Sequence, residues 1–346
     1  MQEPLVSVII VNHNGIDFAD TCIRSVLNNN YPNFEVIFVD NASTDGSLEY
    51  VKKTFSDSPR LRFVENPGSF GPAVGRNSGA KVSGGEYLIF FDNDTRVEEN
   101  CISELIKVLE NDSSIGAAQA KLLRMDTDNL YDCAGDYLGP LGFLIERSRG
   151  AKDVGQFDFI TDILSAKSAA SIIKADLFRR IGGFDEDYYM YLEETDLSWR
   201  VWLSGHKVVF IPGAVVYHAF NTPKKDFKIY YPKKIVRYYG CRNYITTLIK
   251  NLEPRNLMRI LPFHISCWFC LSFLFILKRN LLDGFYILKG IGWNTLNINF
   301  LANKRKFINR RIRIVSDRQI LSKVMDGKTI YYYLSKAMAY LTGRSF

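Results

Sequence analysis

Four short apolar runs constrain this chain more than any other feature. "LVSVIIV" (5–11), "FEVIFV" (34–39), "LRFVE" (61–65) and "EYLIFF" (86–91) are rich in β-branched and aromatic residues, and segments with helical spacing separate them. In "DFADTCIRSVL" (17–27), Phe18, Cys22, Ile23, Val26 and Leu27 recur at helical intervals, with Asp17 as the expected N-cap. "TDGSLEYVKKTF" opens a second helix and the glycine-bearing "GPAVGRNSGAKV" a third. Strands alternating with helices imply a parallel sheet with right-handed crossovers. Nearly continuous apolar strands imply a sheet covered on both faces.

In such α/β sheets, ligands bind beyond the carboxyl ends of the strands. Asn12, Asp40 and the stretch Asp92-Asn93-Asp94 all fall there, so three strand ends aim polar groups at one rim. From about residue 165 the pattern continues more loosely. "SAASIIK" (168–174) reads as a strand, and the next thirty or so residues hold two helices around a Gly-Gly turn. "HKVVFIP" and "AVVYH" read as two further strands, the second ending at His218.

The residues at the rim each allow a chemical and a plainer reading. Asp92 and Asp94, two apart in a tight turn, can both face a hard divalent cation; alternatively Asp94 caps a helix near Glu98. Asp40 can accept hydrogen bonds from a base or ribose, or simply begin a loop of capping residues, "NASTD". Gly68, Gly71, Gly75 and Gly79 with Arg76 form a glycine-rich helix start, where backbone N–H groups and a guanidinium attract phosphate. The spacing matches neither G-x-G-x-x-G nor a Walker motif. Glu193-Glu194-Thr195-Asp196 places three acids in four positions beside "YYMYL". An acidic first turn suits a helix dipole, but apolar surroundings also raise a carboxylate toward a base's working range. On a helix, Glu193 and Asp196 share a face and Glu194 points elsewhere. His218 ends a strand, at the same kind of terminus as Asp94, and neutral imidazole is a common third ligand for Mn²⁺-like ions.

Composition enters through charge. The net +7 hides a split: residues 1–220 hold 20 basic and 32 acidic residues, net −12, and 221–346 hold 24 and 5, net +19. The basic part contains "ILPFHISCWFCLSFLFIL" (260–277), 18 residues without a formal charge, which is near the lower length limit for spanning a bilayer. The stretch 281–301 is more amphipathic, and "KRKFINRRIR" (304–313) is densely basic. Apolar segments beside Lys/Arg clusters suit an interfacial anchor on an anionic leaflet. A 47% hydrophobic, 14% aromatic composition excludes a disordered chain. The six cysteines are irregularly spaced, so a reducing compartment is expected, with Cys267 and Cys270 as packing thiols. The N-terminus runs directly into a strand with no secretory pattern, so no leader is expected.

In order along the chain, "VSVIIVNHNG", "VDNASTDGS", "NPGSFGPAVGRNSGAKVSGGEYLIFFDNDT" and "GGFDEDYYMYLEETDLSWRVWLSGHKVVFIPGAVVYH" resemble the inverting glycosyltransferases of family 2, closest to the rhamnosyltransferase-like branch. The likeness covers about residues 5–218 and implies a GT-A fold, with a Rossmann-like nucleotide-sugar-binding sheet that is mostly parallel. Two parts follow: a catalytic domain over 1–220 and a basic helical region over 221–346, membrane-associating over about 260–301. The resemblance implies that Asp40 reads the nucleobase, Asp92 lies on the ribose side, and Asp94 and His218 hold Mg²⁺ or Mn²⁺. It implies Glu194 as base, with Glu193 the alternative, and Asp196 on the acceptor side. Asn12, Arg76 and Asn93 are expected at the donor. The implied partners are a nucleotide-sugar donor, a lipid-linked or other glycan acceptor and an anionic membrane surface at the cytoplasmic face, with no nucleic acid. No Q-x-x-R-W occurs, so addition of one or a few sugars is expected rather than a long polymer. A nucleotidyltransferase and a non-catalytic binder are the competing classes.

Overall fold

A computed structural model describes residues 3–125, 127–219, 233–328 and 330–342. The chain opens as expected: β1 (Val6–Asn12), α1 (Ile16–Leu27), β2 (Phe34–Asp40), α2 (Ser47–Thr54), β3 (Leu61–Glu65), α3 (Pro72–Val82) and β4 (Tyr87–Asp92). Then come β5 (Thr95–Val97), α4 (Cys101–Asn111), β6 (Ile115–Arg124), β7 (Tyr131–Cys133), β8 (Asp136–Leu138), β9 (Leu144–Glu146), β10 (Thr161–Asp162) and β11 (Ala170–Lys174). The strands close with β12 (Lys207–His218), after α5 (Ala175–Arg180) and α6 (Glu193–Leu203). The rest is helical: α7 (Lys233–Asn251), α8 (Pro254–Leu277), α9 (Leu281–Leu296), α10 (Ile298–Arg311), α11 (Asp317–Val324) and α12 (Ile330–Thr342).

The main path of the sheet runs β10-β12-β6-β11-β4-β1-β2-β3, mostly parallel, with β11 antiparallel to both neighbours. Alternate residues of β1 enter two cores. Ile9 and Val11 face one with Ile37, Val39 and Phe90, and Val8 and Ile10 face the other with Val36, Phe38 and Phe91. Period-two alternation between two buried faces is why the strands read as continuous apolar runs. The first core continues into Leu248, Leu252, Ile260, Ile308, Ile312, Ile320 and Val324 of the C-terminal region. The expected boundary at 220/221 lies outside the described residues.

Three local expectations are corrected. The two strands expected over 206–218 are one, β12, with a register irregularity between Ile211 and Val215. Pro212 and Gly213 sit in that irregularity, where a missing N–H and a missing side chain are tolerated. Helix α1 begins at Ile16 rather than at an Asp17 cap, because Asp45 Oδ2 accepts from the Ile16 N–H at 2.9 Å and supplies the cap from another loop. Cys270 is exposed, not packed.

Candidate active site

The parallel register levels the strand ends. Asn12 pairs with Asp40 across β1 and β2, and Val11 pairs with Asp92 across β1 and β4. Because β2 and β4 flank β1 on opposite sides, their following loops diverge and leave a crevice at β1's end. The turn after β4 closes through Thr95 Oγ1, which donates to the Asp92 carbonyl at 2.8 Å. Residues 95–97 then form β5, so Asp94 caps no helix. Strand β5 pairs with the end of β12, His218 opposite Thr95, and this carries His218 to the acidic turn from more than a hundred residues away.

One carboxylate or imidazole atom each from Asp92, Asp94 and His218 lies within 4.8 Å of the others. His218 Nε2 is 3.3 Å from Asp94 Oδ1, and its Nδ1 is 2.9 Å from Asp132 Oδ2 on β7. Burial alone lowers the imidazole's pKa, but the Asp94 charge and the hydrogen bonds to Asp132 and Asp94 outweigh it and hold it well above its ordinary range. Two carboxylates and one imidazole form a donor set suited to Mn²⁺ or Mg²⁺.

On the other side of Asp92 stands Arg76. Its Nη2 donates to Asp92 Oδ1 at 2.7 Å and its Nη1 to Glu193 Oε1 at 2.9 Å. Helix α3 places it there, and Gly71 lets the preceding loop in: φ is +85° and a Cβ would lie 2.1 Å from the Tyr189 carbonyl oxygen. Glu193 is buried beside Glu194, and burial together with that neighbouring charge raises its pKa to about 8 against the pull of Arg76. Glu194 is half-buried, and its carboxylate makes no hydrogen bond or ion pair with a described residue.

Several residues expected at the donor or acceptor also hold partners within the protein. Asn12 is 0% exposed; its Nδ2 donates to Asp40, Ser43 and Ser47, and its Oδ1 accepts from Asn93 Nδ2 at 2.7 Å. It braces one rim loop against the other. Asn93 is half-buried and held by the same bond. Asp40 is buried, accepting from Asn12 and from the Ser43 hydroxyl and N–H. Arg76, 3% exposed, bridges two acids. Asp196 is 0% exposed and paired with Arg200 at 2.9 Å and Lys250 at 2.8 Å.

The structure also adds residues. Asp132 and Asp136 flank the tight turn between β7 and β8, and Asp136 meets Lys167 at 3.0 Å. Burial and the nearby Glu146 raise Asp136 to about 6 despite Lys167. The only trace of them in the sequence is the alternation in "YDCAGDY", two acids within a strand-like pattern.

The family profile described as Glycosyl transferase family group 2 matches residues 87–300, and that of Glycosyl transferase family 2 matches residues 7–159. The chain belongs to glycosyltransferase family 2. The O-antigen biosynthesis protein RfbC of Myxococcus xanthus is 28% identical over 215 residues, 60% of this chain and 16% of that protein. The putative teichuronic acid biosynthesis glycosyltransferase TuaG of Bacillus subtilis is 30% identical over 107 residues, 31% of this chain and 42% of its own length. The chain thus spans well under half of these relatives. Among solved structures, the Pyrobaculum calidifontis mannosyltransferase PcManGT, in complex with GDP-Man and Mn²⁺, matches with a TM-score of 0.55 at 16% identity over 99% of this chain and 86% of that one. S. aureus TarS 1–349, in complex with UDP-GlcNAc, matches with a TM-score of 0.55 at 16% identity over 99% and 93%. At such identity these matches establish the fold, which is GT-A.

Proposed function

We propose that this family member is an inverting glycosyltransferase that moves a sugar from a nucleoside-diphosphate donor to a hydroxyl of a glycan or lipid-linked acceptor, in polysaccharide biosynthesis. The observation that carries this reading is the crevice itself: the Asp92, Asp94 and His218 donor set on one side and the uncommitted Glu194 carboxylate on the other, joined through Arg76 and Glu193. Asp94 and His218, with Asp92 beside them, are the residues that would hold a divalent ion, which when bound supplies positive charge for the departing diphosphate. Glu194 removes the proton from the acceptor hydroxyl. The freed oxygen forms a bond to the anomeric carbon while the bond from that carbon to the diphosphate oxygen breaks. Attack opposite the leaving group inverts the configuration in one displacement. Arg76 pairs with Asp92 and fixes Glu193 beside the base, and Asp40 and Asn12 shape the nucleoside end. The GDP-Man and UDP-GlcNAc bound by the two solved structures support a donor of the sugar-nucleotide class, with a dTDP-rhamnose-like or UDP-sugar as the first candidates.

The second part of the proposal is a place for the enzyme on the cytoplasmic face of the membrane. Its support is α8, 24 residues long, whose 18-residue apolar window is only 28% buried. Its inward stripe is Ile260, His264, Trp268, Ser272 and Phe275, and its outward side leaves Phe263, Phe273 and Leu277 about 60% exposed. Arg259, Lys278 and Arg279 flank that side and are exposed. A helix that is apolar all round but covered on one stripe fits one lying in the interface.

The test is a panel of UDP-, dTDP- and GDP-sugars incubated with Mn²⁺. Release of nucleoside diphosphate is the expected result. Release of pyrophosphate would make the chain a nucleotidyltransferase, and release of neither would leave it a binder.

A further inference from the structure

The segment 185–192 that delivers Glu193 and Glu194 is an improbable piece of backbone. Tyr189, Tyr191 and Leu192 all have positive φ, at 60°, 65° and 65°. Tyr189, with ψ of −61°, is the centre of a γ-turn of the rarer hand, closed by the Met190 N–H donating to the Tyr188 carbonyl at 2.7 Å. Bulky side chains rarely adopt these conformations, and such a run persists only where its surroundings over-determine it.

What surrounds it is one stripe of α7. Asn243, Thr247, Lys250 and Asn251 lie at i, i+4, i+7 and i+8, a single helix face, and all are 2% exposed or less. The Asn243 Nδ2 donates to the carbonyls of Tyr188 at 3.0 Å, Met190 at 2.7 Å and Tyr191 at 2.9 Å, so one amide group gathers the turn. Its Oδ1 is itself held by Arg242 Nε at 3.0 Å. Thr247 Oγ1 meets the Tyr188 hydroxyl at 2.8 Å. Lys250 Nζ lies 2.5 Å from Asp185 where the segment begins and 2.8 Å from Asp196 just past the acidic pair. Asn251 Nδ2 donates to the same Asp196 at 2.9 Å. The stripe therefore grips the chain before, within and after the bend, and the two glutamates project from the part between.

We infer that Asn243 and Lys250 of α7 are positioning residues for Glu193 and Glu194, so that this helix of the basic C-terminal region sets the geometry of the catalytic acids. This rests on the reading of those glutamates as catalytic. It gives α7 a task in the reaction beyond any attachment of the C-terminal helices to a membrane.

The full-length chain is compared with Asn243→Ala and with Thr246→Val. Thr246 is buried on the same helix, but its hydroxyl donates to Asn294 of α9 at 2.8 Å and is not bonded to the bend. Turnover on the active donor, affinity for UDP, GDP and dTDP with Mn²⁺, and amide exchange over 186–194 are measured for each. Asn243→Ala is expected to lower kcat about 10- to 100-fold, the scale of a reacting group displaced by an ångström, with donor KM and nucleotide affinity held. Its 186–194 amides should exchange faster, and Thr246→Val should show neither change. A folded Asn243→Ala with wild-type kcat, or an equal kcat loss in both variants, overturns the inference. If Asn243→Ala does not fold, Thr247→Val is read by the same split, with a smaller loss expected. If the wild type releases nucleoside diphosphate from no donor, the functional reading has failed, and exchange alone decides: unchanged protection of 186–194 in Asn243→Ala overturns the holding role.

Discussion

At the scale of single residues the crevice separates groups that are free to react from groups that are spoken for. Glu194 is uncommitted, whereas Glu193 is paired with Arg76 at 2.9 Å. Glu194→Gln keeps shape and removes basicity, so kcat should fall about 100-fold or more while nucleotide affinity holds. If Glu193→Gln shows that loss and Glu194→Gln does not, the two exchange roles. On the metal side, Asp94→Ala should abolish the gain in nucleoside-diphosphate affinity that Mn²⁺ confers, measured by titration with and without the ion. Asp132 touches only His218 among these groups, yet it fixes which imidazole nitrogen faces Asp94. Asp132→Asn should therefore weaken Mn²⁺ binding about 10-fold, and unchanged binding in a titration would remove Asp132 from the site. Much of this set was legible: "DND" after an apolar run and a strand-terminal His218 point to a rim. Asn12, Arg76 and Asp196 were legible as polar residues near that rim but not as buried braces, because their partners Ser47, Glu193 and Lys250 lie 35, 117 and 54 positions away.

At the scale of elements, the loop before α3 and the bend before α6 are packed against each other at Gly71. Gly71→Ala introduces a Cβ into the Tyr189 carbonyl at a left-handed φ, and should cost about 2 kcal/mol in urea unfolding. An unfolding midpoint equal to wild type would show that the two loops part easily. The start of the bend is pH-sensitive. Burial pushes Asp185 upward, but Lys250 and Lys304 outweigh it and hold its pKa below the ordinary carboxylate range. A depressed folded pKa means that its stabilisation is present above the unfolded value of about 3.9 and is lost as pH falls through the folded one. Asp185→Asn should thus destabilise by about 3 kcal/mol at neutral pH, with the gap in thermal midpoint to wild type closing as the solution is acidified below about pH 4. A gap that stays constant with pH would mean that the pairs with lysine contribute nothing.

At the scale of the molecule, the C-terminal helices share the catalytic sheet's core through Leu248, Leu252 and Ile260 and leave an apolar face outward. Each Lys or Arg near an anionic leaflet contributes about 1 kcal/mol, which salt screens, while buried apolar area is not screened. The full chain should float with phosphatidylglycerol liposomes and be released only in part by high salt. Phe263→Glu with Phe273→Glu should reduce that flotation sharply while leaving nucleotide binding intact. A wild-type chain that stays with the soluble fraction in the presence of such liposomes would overturn the membrane assignment. Because the core is shared, these point variants test attachment more cleanly than truncation near residue 220.

The sequence by itself determined the alternating α/β architecture, the rim at the strand ends and the family, since these depend on periodicity and on short motifs whose residues are neighbours in the chain. It also carried the charge split and the apolar segment 260–277. The tertiary structure alone decided which polar residues are open and which are consumed. Strand β5 pairing with β12 brings His218 to Asp94, and the packing of α7 against α6 places Asn243 against the bend. Those are contacts between residues 53 and 124 positions apart, and local pattern holds no record of them, because a side chain's hydrogen-bond partners are set by how elements pack and not by what precedes it in the chain.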